Sequence, residues 1–198
     1  MQKIILASQS PRRRLLLEWA EVPFEIIVKE TDESYPPGLP VEAVAIHIAR
    51  NKALAVKISV AGKEQVKPLP ILAADTIVVL KDKIIGKPAD RKNAIDILAA
   101  LSGNHHRVIT GVVILYEDKE IAFADSTDVV FHPLTMEQIE FYVDKYQPYD
   151  KAGAYAIQEW IGVVGIKAVQ GDFYNVMGLP VSRVVGELRR IKDTDTRY

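Results

Sequence analysis

The sequence predicts an α/β protein with a mixed, partly antiparallel sheet flanked by helices. Strand-like apolar runs alternate with segments of helical periodicity along most of its 198 residues. Two long strand patterns, 106–118 and 119–131, follow one another with only a tight turn between them, which makes part of the sheet antiparallel. Hydrophobic residues make up 48% and charged residues 26%, as in ordinary globular proteins. We expect one domain over 1–198, long enough to bury a sizeable core.

Strands are predicted where apolar runs rich in β-branched residues end in polar turns. The run "ILAADTIVVL" at 71–80 is typical of a central strand, and "KDKIIGKP" at 81–88 indicates its hairpin return. Besides these and the two middle strands, the predicted strands cover 3–7, 23–28 and 162–172.

Helices are predicted where apolar residues recur with helical spacing between start and stop signals. The first begins with Ser10, a capping hydroxyl, followed by Pro11, and is expected to end near Ala20. The other predicted helices cover 41–60, 89–103, 135–146 and 178–191. Residues 62–70 are expected to form a loop, and the charged tail 192–198 is expected to be frayed.

Composition and missing motifs exclude several functions. The formal net charge of −1 argues against broad nucleic-acid binding, and the absence of cysteine excludes disulfides, thiolate catalysis and cysteine-ligated zinc. No Walker A loop, G-x-G-x-x-G or G-x-S-x-G motif is present. His105 and His106 are adjacent and lack metal-ligand spacing, so we interpret them as structural. With no signal peptide or membrane-spanning segment in the sequence, a cytoplasmic location is expected.

Three arginines, Arg12, Arg13 and Arg14, crowd the start of the first predicted helix. Helix N-termini attract anions through their free N–H groups and their dipole, and cations there are unfavourable unless an anion is present. The cluster therefore indicates an anion site. Surface arginines paired with nearby acids explain this segment equally well.

The directions of the three arginines are expected to differ. Arg14 precedes Glu18 by four residues and belongs to a solvated face. Arg12 and Arg13 are the candidates for the anion. The face turned to the core is expected to carry Leu15, Leu16 and Trp19. Arg12 is expected to lie on the same face, one helical turn closer to the N-terminus.

Lys52 and Asp75 interrupt apolar patterns. Lys52 follows Ile48 by four residues on the apolar stripe of helix 41–60, so its ammonium must snorkel to water or meet a negative partner. Asp75 and Thr76 interrupt the central strand, where a carboxylate needs a cation, a metal or several donors. Lys87 can return toward this strand across the hairpin, although an edge bulge or a structural salt bridge also accommodates Asp75.

Two weaker candidates complete the set. Glu33 lies in an acidic turn after the second strand. Gln158 ends the small-residue, β-like run 150–158, where its amide could read a base edge. Together, these cations and carboxylates suit a polyphosphate with a divalent metal, but they do not name the bond that breaks.

Eight blocks of sequence stand out, in the order "LASQSPRR", "TDES", "NKA", "ILAADTIVV", "IGKP", "LSGNHHRVITGV", "DKAGAYAIQ" and "GDFYNVMGLP". Together they resemble the Maf family of nucleoside triphosphate pyrophosphatases. The resemblance covers nearly the whole chain and implies two lobes around a central cleft, a fold related to the inosine-triphosphate pyrophosphatases. It also implies cleavage of nucleoside triphosphates to monophosphate and pyrophosphate with Mg²⁺ or Mn²⁺, and a homodimer. "AADT" and "KAGAYAIQ" resemble the branch acting on dTTP and UTP rather than the branch directed at 7-methyl-GTP.

The resemblance also implies residue roles. Asp75 corresponds to the acid/base that activates water. The residues that correspond to base-selecting positions are Arg12, Thr76 and Gln158, those expected around the phosphates are Ser8, Arg13, Lys52 and Lys87, and those expected to hold metal are Glu33 and Asp75. Two departures stand out: Ala74 and Glu159 occupy positions where glycine is frequent or usual. One alternative is a pyrophosphatase for another substrate, such as CTP, a modified pyrimidine triphosphate or a purine triphosphate. The other is a nucleotide-binding regulator of septum formation and cell division.

Overall fold

The computed structural model describes residues 1–61 and 68–195, the last four of these as backbone only. Of the predicted loop 62–70, residues 62–67 lie outside the described residues, and 68–70 have no regular structure. The last three residues of the predicted tail also lie outside them, whereas 192–195 continue the final helix.

The described residues form seven strands and seven α-helices. The strands are β1 (Ile4–Leu6), β2 (Phe24–Ile26), β3 (Ile71–Leu80), β4 (Lys83–Ile85), β5 (His105–Tyr116), β6 (Lys119–Phe131) and β7 (Ile166–Gln170). The helices are α1 (Pro11–Trp19), α2 (Val41–Val60), α3 (Arg91–Leu101), α4 (Met136–Tyr146), α5 (Trp160–Gly165), α6 (Phe173–Met177) and α7 (Val181–Asp195). A 3₁₀ turn covers Ala152–Ala154.

The strands form one mixed sheet in the order β2-β1-β3-β5-β6-β7, with β4 paired to β3. β1 is parallel to both β2 and β3, whereas β4 and β7 are antiparallel to their partners. β3 lies between β1 and β5, so the prediction of a central strand over 71–80 is confirmed. The predicted fold class, a mixed and partly antiparallel sheet with helices, is confirmed as well.

The chain divides into two compact units. The first comprises Met1–Asp75, Thr110–Asp125 and Gly178–Tyr198. Its core is formed by residues of β1, α2, β3 and β5, which include Ile5, Ala49, Ala53, Val56, Ile71, Ala73 and Val113. Within it, α2 approaches β5 closely, since a Cβ at Gly111 would lie 2.3 Å from the carbonyl carbon of Ala45.

The second unit comprises Thr76–Ile109 and Ser126–Met177. Among its buried side chains, Phe131, His106 and Tyr155 form a group of rings with centroids 5.1 to 5.5 Å apart. His105, by contrast, is exposed and pairs with Asp128 at 2.8 Å. The two histidines have the alternate burial and structural contacts expected of neighbours on a strand.

Two predicted stretches of the second unit have another structure. Residues 150–158, expected to be β-like, turn at Gly153, whose φ of 71° favours glycine. Residues 162–172, expected to be a strand, begin as the end of α5 and become β7 only at Ile166. The reason is a close approach: a Cβ at Gly162 would lie 1.8 Å from the carbonyl oxygen of Ile157, so glycine lets α5 start directly on the preceding turn.

Candidate active site

The N-terminus of α1 follows β1 after a short turn. Ser10 caps the helix, with its hydroxyl accepting from the Arg13 N–H at 3.5 Å, and Pro11 occupies the first helical position. Ser8 is buried and accepts from the Ser10 N–H at 3.3 Å. The predicted helix start is therefore confirmed, and it places the buried hydroxyl of Ser8 beside the first turn of α1.

Arg13 is the buried arginine of the three, with 8% of its surface exposed. Its Nη1 donates to Ser8 Oγ at 3.0 Å, and its Nε donates to the carbonyl oxygen of Gly178 at 2.8 Å. Arg12 is half-buried. Arg14 is exposed, and its Nε lies 3.5 Å from a Glu18 oxygen, as the four-residue spacing predicts.

The predicted core face of α1 was right for Leu16 and wrong for Leu15 and Trp19. The buried side chains are Arg13, Leu16 and Leu17, whereas Leu15 and Trp19 are 36% and 59% exposed. Three consecutive leucines allow either of two apolar faces, and the helix packs with the face that carries Arg13 inward. The arginine nearest the core is therefore Arg13, not Arg12.

Burial lowers the pKa of Arg13. The negative charge of Asp75 opposes this, the positive charge of Arg12 adds to it, and Glu33 opposes it more weakly. A guanidinium partly desolvated beside another cation is stabilised by negative charge. The electrostatics of this corner therefore favour an anion next to Arg13.

Lys52 lies between two carboxylates. Its Nζ is 2.7 Å from Asp75 Oδ1 and 2.8 Å from Glu33 Oε1, and its side chain is 19% exposed. Asp75 is 13% exposed, whereas Glu33 is 48% exposed. The lysine on the apolar stripe has met a negative partner, and the carboxylate of the central strand has met a cation, as their positions in the sequence required.

The two carboxylates suit a hard divalent cation. Both reach the same nitrogen atom, so Glu33 and Asp75 are close enough to share one cation. Mg²⁺ is usually bound by one or two carboxylates together with substrate phosphates and water. Within 1–61 and 68–195 no group of three or more His, Asp or Glu side chains could hold a metal. The donor set fits a metal that is held jointly with a phosphorylated ligand.

Thr76, Lys87 and Gln158 belong to the second unit. Thr76 follows Asp75 in β3 and is half-buried. The hairpin return is confirmed, since β4 pairs antiparallel with β3 up to Val78 and Ile85, and Lys87 follows it on an exposed stretch. Gln158 is exposed in a turn before α5.

The structure thus brings together five of the predicted residues of the first unit, which are Ser8, Arg13, Glu33, Lys52 and Asp75. The roles of all these residues, and of Arg12, Thr76, Lys87 and Gln158, stay predictions. The sequence reasoning missed Gly178, whose contribution is a backbone carbonyl. No side-chain pattern could have revealed it, although the "GLP" turn marks a backbone with a positive φ of 118°.

The fold and this group define an α/β protein with a buried arginine and a lysine held between two carboxylates, an arrangement that suits a phosphate-like anion with an associated cation. The chain belongs to the Maf-like protein family, which matches residues 3–191. No helix within the described residues is long and apolar enough to cross a membrane.

Similar proteins cover almost the same length. A protein of Parabacteroides distasonis named dTTP/UTP pyrophosphatase is 48% identical over 188 residues, 94% of this chain and 95% of the relative. A protein of the same name from Cytophaga hutchinsonii is 48% identical over 95% of this chain and 84% of its own length. Another from Bacteroides thetaiotaomicron is 43% identical over 96% of both chains.

Proposed function

We propose that this Maf protein hydrolyses nucleoside triphosphates, dTTP and UTP foremost, to the monophosphate and pyrophosphate, and so removes unwanted nucleotides from the cellular pool. The observation that carries the proposal is the position of Lys52 between Asp75 and Glu33, in the same unit as the buried Arg13. This group offers cations for phosphate oxygens and a carboxylate for water. The names of the relatives support the choice of dTTP and UTP.

In the proposed reaction, Asp75 orients a water molecule and accepts its proton as the oxygen attacks the α-phosphorus. A P–O bond forms to that oxygen while the bond from the α-phosphorus to the α–β bridging oxygen breaks, and pyrophosphate leaves with the bonding electron pair. Arg13, Lys52, Lys87 and the positive N-terminal end of the α1 dipole neutralise the phosphate charge. Most of the acceleration comes from positioning and charge stabilisation, since general-base catalysis alone contributes about 10²- to 10⁴-fold.

Glu33 and Asp75 are the residues that would hold Mg²⁺ or Mn²⁺. When bound, such a cation neutralises phosphate oxygens and withdraws electron density from phosphorus. The chain supplies two carboxylates, and the substrate supplies the remaining anionic ligands. A direct test is the dependence of pyrophosphate release on each metal, with Glu33→Gln expected to raise the metal concentration needed for half-maximal rate.

Arg12, Thr76 and Gln158 select the base in this proposal. Alanine at each of these positions should change the preference among triphosphates more than the rate on the best one. An unchanged substrate profile in all three variants would contradict this assignment.

The cytoplasmic location, the homodimer and the absence of a nucleic-acid partner expected above belong to the same proposal. Light scattering after size-exclusion chromatography measures the oligomeric state.

The decisive experiment is a panel of triphosphates with Mg²⁺. The protein is incubated with dTTP, UTP, CTP, a purine triphosphate, 7-methyl-GTP and 5-methyl-UTP, and the monophosphate and pyrophosphate are quantified separately from diphosphate and orthophosphate. We expect pyrophosphate with dTTP and UTP foremost. Diphosphate and orthophosphate as products would overturn the assigned bond. Binding without any product would favour the regulatory alternative.

A further inference from the structure

The turn that carries Gln158 is closed by its own backbone. The Glu159 N–H donates to the Ala156 carbonyl oxygen at 3.1 Å, and the Glu159 carbonyl then accepts from the Gly162 N–H at 2.9 Å as α5 begins. Gln158 itself is exposed between these bonds. An exposed side chain has little packing of its own to set its direction, so that direction depends on how firmly the turn is held.

One buried hydroxyl holds this turn at both ends. Tyr142 lies on α4 with none of its surface exposed. Its hydroxyl oxygen accepts from the Ala156 N–H at 3.2 Å, and its O–H donates to Oε2 of Glu159. The two contacts fall on either side of Gln158, two residues before it and one residue after it.

The carboxylate of Glu159 has a second partner. Its Oε1 lies 3.6 Å from Nζ of Lys151, which also donates to Asp150 at 2.8 Å. The Lys151 side chain is 9% exposed and that of Glu159 is 23% exposed. An ammonium group so far removed from water needs a negative partner, and that of Lys151 has two, the carboxylates of Asp150 and Glu159. The hydrogen bond from Tyr142 and the ion pair with Lys151 thus act on different oxygens of Glu159, which restricts the direction of its carboxylate.

We propose that Tyr142, Glu159 and Lys151 are positioning residues for base selection, acting through the turn that presents Gln158. The proposal rests on the proposed role of Gln158. The amide of a glutamine has a donor side and an acceptor side, so it distinguishes bases only while its direction is kept. Glu159 occupies a position where the resemblance leads one to expect glycine, which has no side chain to accept from the Tyr142 hydroxyl.

The test compares Tyr142→Phe and Glu159→Ala with Glu159→Gln. Steady-state kcat and KM are measured for dTTP and for dCTP. Tyr142→Phe removes both contacts of the hydroxyl, and Glu159→Ala removes the carboxylate. Each should raise KM for dTTP about tenfold, the effect of one hydrogen bond of ordinary strength, with kcat changed less than about twofold. Glu159→Gln keeps an acceptor for Tyr142 and should stay within about threefold of wild type.

Tyr146→Phe is the matched control, because Tyr146 lies on the same helix and its ring stacks on Tyr142 with centroids 5.0 Å apart. It should leave the kinetics unchanged. The deciding readout is the ratio of kcat/KM for dTTP to kcat/KM for dCTP, which does not depend on the fraction of protein that folds. We expect this ratio to fall about tenfold in Tyr142→Phe and Glu159→Ala.

Gln158→Ala separates the two ways in which the inference can fail. If Gln158→Ala lowers the ratio and the Tyr142 and Glu159 variants do not, the positioning role is wrong and the role of Gln158 stands. If Gln158→Ala leaves the ratio unchanged, the base-selecting role itself is wrong, and the inference is overturned with it.

Discussion

Nζ of Lys52 lies 2.7 Å from Oδ1 of Asp75, so a lysine in the middle of α2 reaches the one carboxylate of the central strand β3. Each residue is costly in its own element, a cation on an apolar stripe and an acid in a buried strand. Paired, they compensate each other. Their pairing also places a carboxylate next to a cation, and the proposed hydrolysis uses the first for water and the second for phosphate.

Asp75→Asn should reduce kcat for dTTP by about 10³-fold, within the range of general-base effects. The amide keeps an acceptor for Lys52 but takes up a proton from water poorly. Thermal unfolding followed by circular dichroism should show that the fold is retained. A rate of pyrophosphate release equal to that of the wild type would remove Asp75 from the mechanism.

Lys52→Ala should lower kcat/KM for dTTP about 100-fold, because the substrate loses a cation and two carboxylates are left facing each other. Lys57→Ala is the matched control on the same helix, since Lys57 is exposed and donates to the Glu117 carbonyl at 2.7 Å. It should remain within about threefold of wild type. Equal losses in the two variants would argue for a general effect of charge.

Pyrophosphate should stabilise the wild-type protein by binding beside Arg13. At a concentration one hundred times its Kd, the free energy of unfolding should rise by about 2.7 kcal/mol. Arg13→Gln should lose at least half of this increase. Burial and Arg12 lower the pKa of the Arg13 guanidinium, so its positive charge is stabilised when an anion binds beside it. Arg14→Gln, at an exposed site, should keep it. Urea titrations with and without pyrophosphate make the measurement, and similar losses in both variants would contradict a specific anion site.

The stability of the fold should fall in mild acid because of His106. Burial, helped by the neighbouring His105, lowers the pKa of His106 from 6.5 to about 4. The unfolded chain therefore binds a proton near pH 6.5 that the folded chain takes up only near pH 4. This contribution to the free energy of unfolding is complete above pH 6.5 and is lost as the pH falls toward 4. The loss amounts to about 2 to 3 kcal/mol by pH 4.5.

Urea unfolding at pH 7 and pH 4.5 tests this for wild type and for His106→Gln, whose amide can still bond to the Tyr155 hydroxyl that lies 2.8 Å from His106 Nε2. The variant should lose about 2 kcal/mol less than wild type between the two pH values. His132→Gln, at an exposed histidine, should behave as wild type. The same pH dependence in all three proteins would show that His106 does not cause it.

Two glycine substitutions should change stability in opposite directions. Gly111→Ala should lower the free energy of unfolding by about 1 to 3 kcal/mol, because its Cβ would lie 2.3 Å from the backbone of α2. Gly186→Ala should raise it by about 0.5 to 1 kcal/mol, since Gly186 is exposed in α7 with nothing within 4 Å of its Cβ position. Urea unfolding measures both, and a stable Gly111→Ala would show that α2 can shift away from β5.

Local patterns predicted the elements whose causes are local. The cap at Ser10, the whole of α2 and the strand β3 occur as their sequences indicate, because capping, helical periodicity and continuous apolar runs are properties of neighbouring residues. The run 162–172 is a strand only over Ile166–Gln170, because its first residues depend on a close approach of Gly162 to Ile157, which no periodicity records.

The sequence by itself determined the fold class, the capped start of α1, and the two charged residues that break apolar patterns, Lys52 and Asp75. Only the tertiary structure decided which arginine is buried, which acids Lys52 meets, and that Tyr142 holds both ends of the turn around Gln158. The physical reason is distance along the chain. Arg13 is bound to a carbonyl 165 residues away, and such a contact exists only once the intervening strands and helices have packed.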